Sequence, residues 1–523
     1  MTEQNHPSAS ARCWPLTLWL LLRLLLLCAG AGYLVLAWLT GKPGGWLLDF
    51  IDNWRLFHID DAYRYFLVRS AWLDKDLYSW SYIQPVALML DGLLASLTGG
   101  HLLAMRSAHA LAAVATLALI WATGVRLALH RTPLLLSVLI LACMPVFAFG
   151  FLSFYAENWL ALCMALAAHQ WVANRRLSAT LLCAAMPLIR PEGIFLLAGM
   201  AAGLLALRQW RLFILLGLPG LVYALWLLVA LPHPTDYMQW RLAFREILNL
   251  ASSDSLRLPS RLFSTFNLLW WLPTLAAIWH PAIRRLWPLC LGVSISLLFL
   301  LYTVAAGYAF YEARYVLSTL PIIALLWAMG VQQLLTWCVA TRPRTRTALA
   351  AVLALFIAGE HMLQLDPLKH SVGDRRWPVA GLPADLPSFL RRDPAEQQAA
   401  QSLAQMLHRL SHEEPAIDRV LIFNDMLFYH LDPHQLRPGV KVVYAPTSEQ
   451  AADQLLGGAI YGIHPGMPKQ ALHYFALPDD YTRRMVVYVG ALDRDYPMLF
   501  DQAGLRAYVL DYSTRVPSGS VLQ

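Results

Sequence analysis

The chain has 523 residues, of which 58% are hydrophobic and only 14% charged. A mean hydropathy of +0.49 lies above the range of soluble domains, which excludes a water-soluble globular protein and indicates a polytopic membrane protein. The net charge of +7 does not argue for nucleic acid, because the cations fall in loops that fix membrane topology.

An apolar run over residues 15–39 follows Arg12 and contains Arg23. It is longer than the core of a cleavable signal, so it reads as a retained signal-anchor helix with a cytoplasmic N-terminus. The next section, residues 41–102, is polar and aromatic and holds Phe57-His58-Ile59-Asp60-Asp61-Ala62-Tyr63-Arg64-Tyr65. Adjacent carboxylates beside a membrane are expensive to desolvate and mark a wet surface or a polar cavity where charge is used. Over residues 61–73, Tyr65, Phe66, Val68, Ala71 and Trp72 interleave with Arg64 and Arg69, the pattern of a helix lying on the membrane surface. Residues 85–97 are apolar but short for a span and carry Asp91, which predicts a juxtamembrane or re-entrant helix.

Further apolar segments lie at residues 103–127, 133–152, 156–173, 178–189, 193–207, 212–231, 263–279, 286–304, 316–337 and 348–364. With the first run they make about eleven membrane helices. Arg126 and Arg131, Arg175 and Arg176, Arg208 and Arg211, Arg284 and Arg285, and Arg342, Arg344 and Arg346 occupy alternate loops. Those loops face the cytoplasm by the positive-inside rule. The intervening loops then face outward, and they contain Asp60-Asp61, Glu157, Arg190-Pro191-Glu192-Gly193, residues 232–262 and Tyr311-Glu312-Ala313-Arg314. The candidate polar residues thus converge on one face.

From about Asp366 the composition turns polar and Pro-rich. Strand-like runs at 420–423, 440–444, 485–489 and 505–510 alternate with helical stretches such as 395–410, which predicts a soluble α/β domain over 366–523 beyond a membrane domain over 1–365. The seven cysteines fall in the N-terminal tail and apolar segments, none with metal-ligand spacing.

Asp60 suits a general base and Asp61 its partner, because two close carboxylates raise one pKa and leave an anion able to take a hydroxyl proton. Asp60 equally suits the N-cap of a helix, paired with Arg64 four residues on. A divalent metal held by the pair is an open alternative, but two adjacent acids supply too few ligands alone. Glu157 opens an apolar segment, where an acid also complements the helix dipole. Arg190, between two short apolar pieces, needs an anion: either Glu192 or a bound phosphate. Arg314 opens a helix against its dipole, which points to an anionic ligand or to lipid headgroups.

Four local patterns, Asp60-Asp61-Ala62-Tyr63-Arg64-Tyr65, Tyr155-Ala156-Glu157, Arg190-Pro191-Glu192-Gly193 and Glu312-Ala313-Arg314-Tyr315, occur in this order over residues 16–337. Together they resemble the GT-C superfamily of integral-membrane glycosyltransferases, and the aspartate pair resembles the bacterial branch of cell-wall arabinofuranosyltransferases. After the pair, Leu77-Tyr78-Ser79-Trp80-Ser81-Tyr82 stands where that branch has a Gly/Asn-rich turn. The resemblance implies a mainly α, GT-C-like transmembrane bundle in the bacterial inner membrane, with its site and C-terminal domain facing the periplasm. It implies inverting transfer of a pentose or hexose from a polyprenyl phosphate to a glycan, lipopolysaccharide or protein. Asp60 and Asp61 would be catalytic and Arg190 and Arg314 would meet the donor phosphate, with Tyr63, Arg64, Glu157, Glu192, Glu312 and Tyr315 lining the pocket. A lipid-linked-glycan transporter and a non-catalytic envelope assembly protein are the rival readings.

Overall fold

The computed structural model describes residues 30–35, 59–73, 84–230, 268–305, 313–338, 394–415, 417–422, 425–444, 485–489, 498–502 and 505–511. Most of the expected first helix, the loop at 232–262 and the segment at 348–364 lie outside them.

The first full element, α1 (Ile59–Arg69), carries the acid pair in its first turn. Then α2 (Pro85–Thr98) begins at a proline, whose missing N–H is no loss in a first turn. It ends at Gly99 in the left-handed region, φ 61°, where the backbone turns back and a side chain would be strained. The bundle continues with α3 (Leu102–Arg126), α4 (Arg131–Cys143), α5 (Pro145–Leu152), α6 (Ala156–Val172), α7 (Arg176–Ile189), α8 (Gly193–Ala206) and α9 (Trp210–Ala230). It closes with α10 (Leu268–Ala276), α11 (Ile283–Ala305), a 3-10 turn at Ala313–Thr319, and α12 (Leu320–Cys338).

The bundle has two chemically distinct ends. At one, the Arg285 guanidinium donates to the Arg126 carbonyl at 3.1 Å and the Val172 carbonyl at 3.2 Å. It thereby caps the C-termini of α3 and α6, where helix dipoles favour a cation. Trp171 donates back to the Arg285 carbonyl at 2.9 Å, and Arg176 stacks on Trp171 with its guanidinium carbon 3.7 Å from the ring centre. Of the arginines expected to share one side, Arg126, Arg176 and Arg285 thus meet here. The opposite end of α6 holds Glu157 in its first turn, and the helix's 17 residues separate the two ends by about 25 Å.

Three helices among the described residues are long and apolar enough to cross a membrane: Leu102–Arg126, Ile283–Tyr302 and Tyr315–Trp337. A fourth span results if the pair Arg131–Cys143 and Val146–Leu152, bent by 70°, is counted as one. Among the described residues the expected total of eleven is therefore not reached. Pro145 forces Met144 into an extended conformation, φ −69° and ψ 123°, and splits one segment. The two segments expected on either side of the Arg190–Glu192 turn form helices of only 14 residues each, about 21 Å long against a hydrocarbon core of about 30 Å.

The C-terminal region comprises α13 (Pro394–Glu413), β1 (Ile417–Ile422), α14 (Asp425–His430), β2 (Lys441–Tyr444), β3 (Met485–Val489), β4 (Met498–Gln502) and β5 (Leu505–Asp511). The five strands form one mixed sheet in the order β2-β1-β3-β5-β4. β1 pairs in parallel with β2 and β3, and β5 is antiparallel to β3 and β4. The expected α/β character is present, with β4 as a strand the sequence reading missed. Arg437 staples the end of α13 to β1 by donating to the carbonyls of Ser411 (2.9 Å), Pro415 (3.1 Å) and Ile417.

One expectation changes outright. The helix read as lying on the membrane surface is buried continuously from Ala62 to Val68, including the arginine Arg64. The reason is tertiary: α14 packs on Tyr63 and Phe66 through Phe428, while Arg64 is taken up against Tyr155 of the bundle.

Candidate functional site

The α7–α8 corner is built so that Arg190 points at carboxylates. Arg190 is extended, φ −153° and ψ 145°, and Gly193 lets α8 start against the end of α7, since a Cβ there would run into the Met186 backbone. The guanidinium donates from Nε to Glu192 Oε2 at 2.9 Å and from Nη2 to Glu192 Oε1 at 2.8 Å. This planar fork engages a carboxylate with two parallel bonds. Its third nitrogen, Nη1, meets Glu157 Oε1 at 2.7 Å, and the Tyr315 ring centre lies 5.5 Å from the guanidinium carbon. One cation therefore ties together the head of α6, the α7–α8 turn and the segment entering α12. A phosphate reaching Arg190 would have to displace a carboxylate.

On the other flank, the Arg64 guanidinium carbon stands 5.4 Å from the centre of the Tyr155 ring, two residues before Glu157. Arg64, Glu157, Arg190, Glu192 and Tyr315 are thus collected around one end of the bundle. Asp60 and Asp61 lie one turn before Arg64 in α1, and Arg314 lies beside Tyr315 in the 3-10 turn. Their side chains, and Glu312 altogether, fall outside the described residues. Tyr63 faces elsewhere: its ring centre is 5.1 Å from that of Phe428 in the C-terminal domain.

Sequence reasoning missed an inner polar layer. Arg106 in α3 is fully buried, its guanidinium carbon 5.7 Å from the centre of the Phe154 ring and its Nη2 donating to the Tyr429 hydroxyl at 3.3 Å. One turn further, His109 Nε2 meets Asp91 Oδ1 at 3.0 Å, and Trp159 donates its indole N–H to the same oxygen at 2.8 Å. Asn158 lies 3.4 Å from His109 Nδ1 and donates to the Ser153 carbonyl at 2.6 Å. The available signal was charge inside an otherwise apolar helix, which is expensive unless it is used or paired.

Among the described residues no three His, Cys, Asp or Glu side chains come together in a way that could hold a metal ion. The acid pair considered for a divalent ion has its side chains outside them. Fold and cluster together define a helical, membrane-type protein with ion pairs gathered at one end of its bundle. No family model matches the chain, and no curated protein does.

Proposed function

We propose that the protein is an inner-membrane glycosyltransferase that moves a pentose, such as arabinofuranose, or a hexose from a polyprenyl phosphate to an extracytoplasmic glycan, lipopolysaccharide or protein. The observation that carries this reading is the Arg64–Tyr155 and Glu157–Arg190–Tyr315 contact chain. It brings residues of four sequence patterns, scattered over about half the chain, to one end of the bundle.

In this reading Asp60 takes the proton from the acceptor hydroxyl while Asp61 orients it. The oxygen attacks the anomeric carbon, and the bond from that carbon to the phosphate oxygen breaks with inversion. The departing polyprenyl phosphate gains charge, which Arg314 offsets together with Arg190 once the latter exchanges a carboxylate for phosphate. Tyr155 and Tyr315 restrict water, strengthening each charged contact. No metal is required by this scheme. The full set of about eleven spans, with the site and the C-terminal domain facing the periplasm, belongs to the same proposal.

The test is transfer from a synthetic polyprenyl-phosphate pentose by the reconstituted full chain. Asp60→Asn should lower turnover by about 10² to 10⁴-fold, the usual loss on removing a general base. Undiminished turnover in that variant would remove Asp60 from the role. A transporter is the second reading, favoured by the buried Asp91–His109 pair, because intramembrane acid–histidine pairs suit proton pathways. Movement of a lipid-linked glycan across vesicles without glycosidic transfer would establish it instead.

A further inference from the structure

The stripe Tyr63, Phe66 and Arg69, spaced by three residues, runs along one face of α1 and is covered by the C-terminal domain. Phe428, fully buried, places its ring centre 5.1 Å from that of Tyr63 and 6.1 Å from that of Phe66. At the end of the stripe, Arg69 pairs through Nη2 with Asp432 Oδ1 at 2.9 Å and donates through Nη1 to the Leu431 carbonyl at 3.2 Å. Tyr429 adds a second bridge. Its ring centre lies 5.8 Å from that of Tyr65, and its hydroxyl accepts from Arg106 of α3 at 3.3 Å. Asp432 is itself anchored in its domain, its backbone N–H donating to His408 Nε2 of α13 at 2.9 Å.

We infer that residues 427–432 are a positioning element for α1, with Tyr429 and Asp432 as positioning residues that act through Arg106 and Arg69. The contacts touch α1 on its middle and last turns and tie it to α3. They thereby set where its first turn, with Asp60 and Asp61, sits relative to the Glu157–Arg190 cluster. A soluble domain that merely hung from the bundle would need none of them to cross to α3. The catalytic consequence rests on the transferase reading, whereas the positioning itself does not.

Hydrogen exchange on the full chain in nanodiscs separates positioning from tethering. With Asp432→Ala, amides of residues 59–69 should exchange about tenfold faster while those of 156–172 stay unchanged, because local opening reports local support. Asp432→Glu should restore most of the protection, and Tyr429→Phe, which removes only the hydroxyl, should show a smaller version of the same loss. Faster exchange confined to residues 425–444 would mean a passive tether and overturn the inference, as would faster exchange spread through the whole bundle. On the same preparation, with a synthetic polyprenyl-phosphate pentose as donor, Asp432→Ala should lower kcat about tenfold with an unchanged donor KM. A wild-type chain that turns over no donor discards the transferase reading, and the exchange result then decides the positioning by itself.

Discussion

Asp91 and His109 show how much rests on single side chains inside this bundle. His109 Nε2 stands 3.0 Å from Asp91 Oδ1, and its Nδ1 lies 3.4 Å from the Asn158 amide nitrogen, so both ring nitrogens have a polar partner. Asn158 donates to the Ser153 carbonyl at 2.6 Å. The network therefore holds the turn from which Glu157 projects toward Arg190. Removing one partner of such a buried pair leaves the other's polar groups unsatisfied, at a cost of about 1–3 kcal/mol. Asp91→Ala should lose that much stability in denaturant titration of the micellar protein, and Asp91→Asn less, because its amide oxygen still accepts from Trp159. Stability within about 0.5 kcal/mol of wild type would place Asp91→Ala among ordinary surface changes and dissolve the argument. Arg190→Lys should also be damaging. A point ammonium cannot replace a fork that grips Glu192 with two bonds while reaching Glu157 with a third nitrogen.

Among the elements, α8 and α11 cross closely. A Cβ at Gly199 would collide with the Pro288 carbonyl and the Gly292 backbone, and one at Gly203 with the Pro288 ring. Small residues here let two backbones touch, the usual device where lipid supplies no hydrophobic drive between helices. Gly199→Leu should therefore destabilise by at least about 1–3 kcal/mol, whereas Gly217→Ala, with nothing within 4 Å, should be neutral or gain up to about 1 kcal/mol. Equal stability of the two variants in denaturant titration would mean that this crossing is not tight. This scale also explains what could be read in advance. Apolar length located α3, α11 and α12, and short apolar strand-like runs located four of the five strands, because those signals are local. The break at Met144 and the burial of α1 were not legible, since one depends on how a proline is accommodated and the other on a domain about 360 residues away in sequence. The cluster was half legible: Arg64, Glu157, Arg190, Glu192 and Tyr315 stand in recognisable local patterns, but Arg106 and His109 acquire meaning only from partners on other helices.

At the scale of the whole molecule, the seam between the sheet domain and the bundle is backed by a titratable group. His408 Nε2 accepts the Asp432 N–H at 2.9 Å, which only a deprotonated nitrogen can do. Burial is the largest influence and holds the His408 pKa below its ordinary value. Asp432 works against that shift, while Arg69 and His412 reinforce it. A base whose folded pKa is depressed binds more protons when unfolded. The joint therefore contributes fully above the unfolded value of about 6.5 and loses strength as pH falls below it. Loosening His408 frees Asp432, and with it the Arg69 ion pair that reaches α1. Acidification from about pH 7.5 to about 5.5 should therefore lower exchange protection, taken relative to the intrinsic amide rate at each pH, at residues 427–432 and 59–69 while leaving that of residues 156–172 nearly unchanged. His408→Gln should flatten that pH response, since its side-chain carbonyl accepts the same N–H and does not titrate in this range. An undiminished response in His408→Gln would assign the acid sensitivity to another group and uncouple this histidine from the seam.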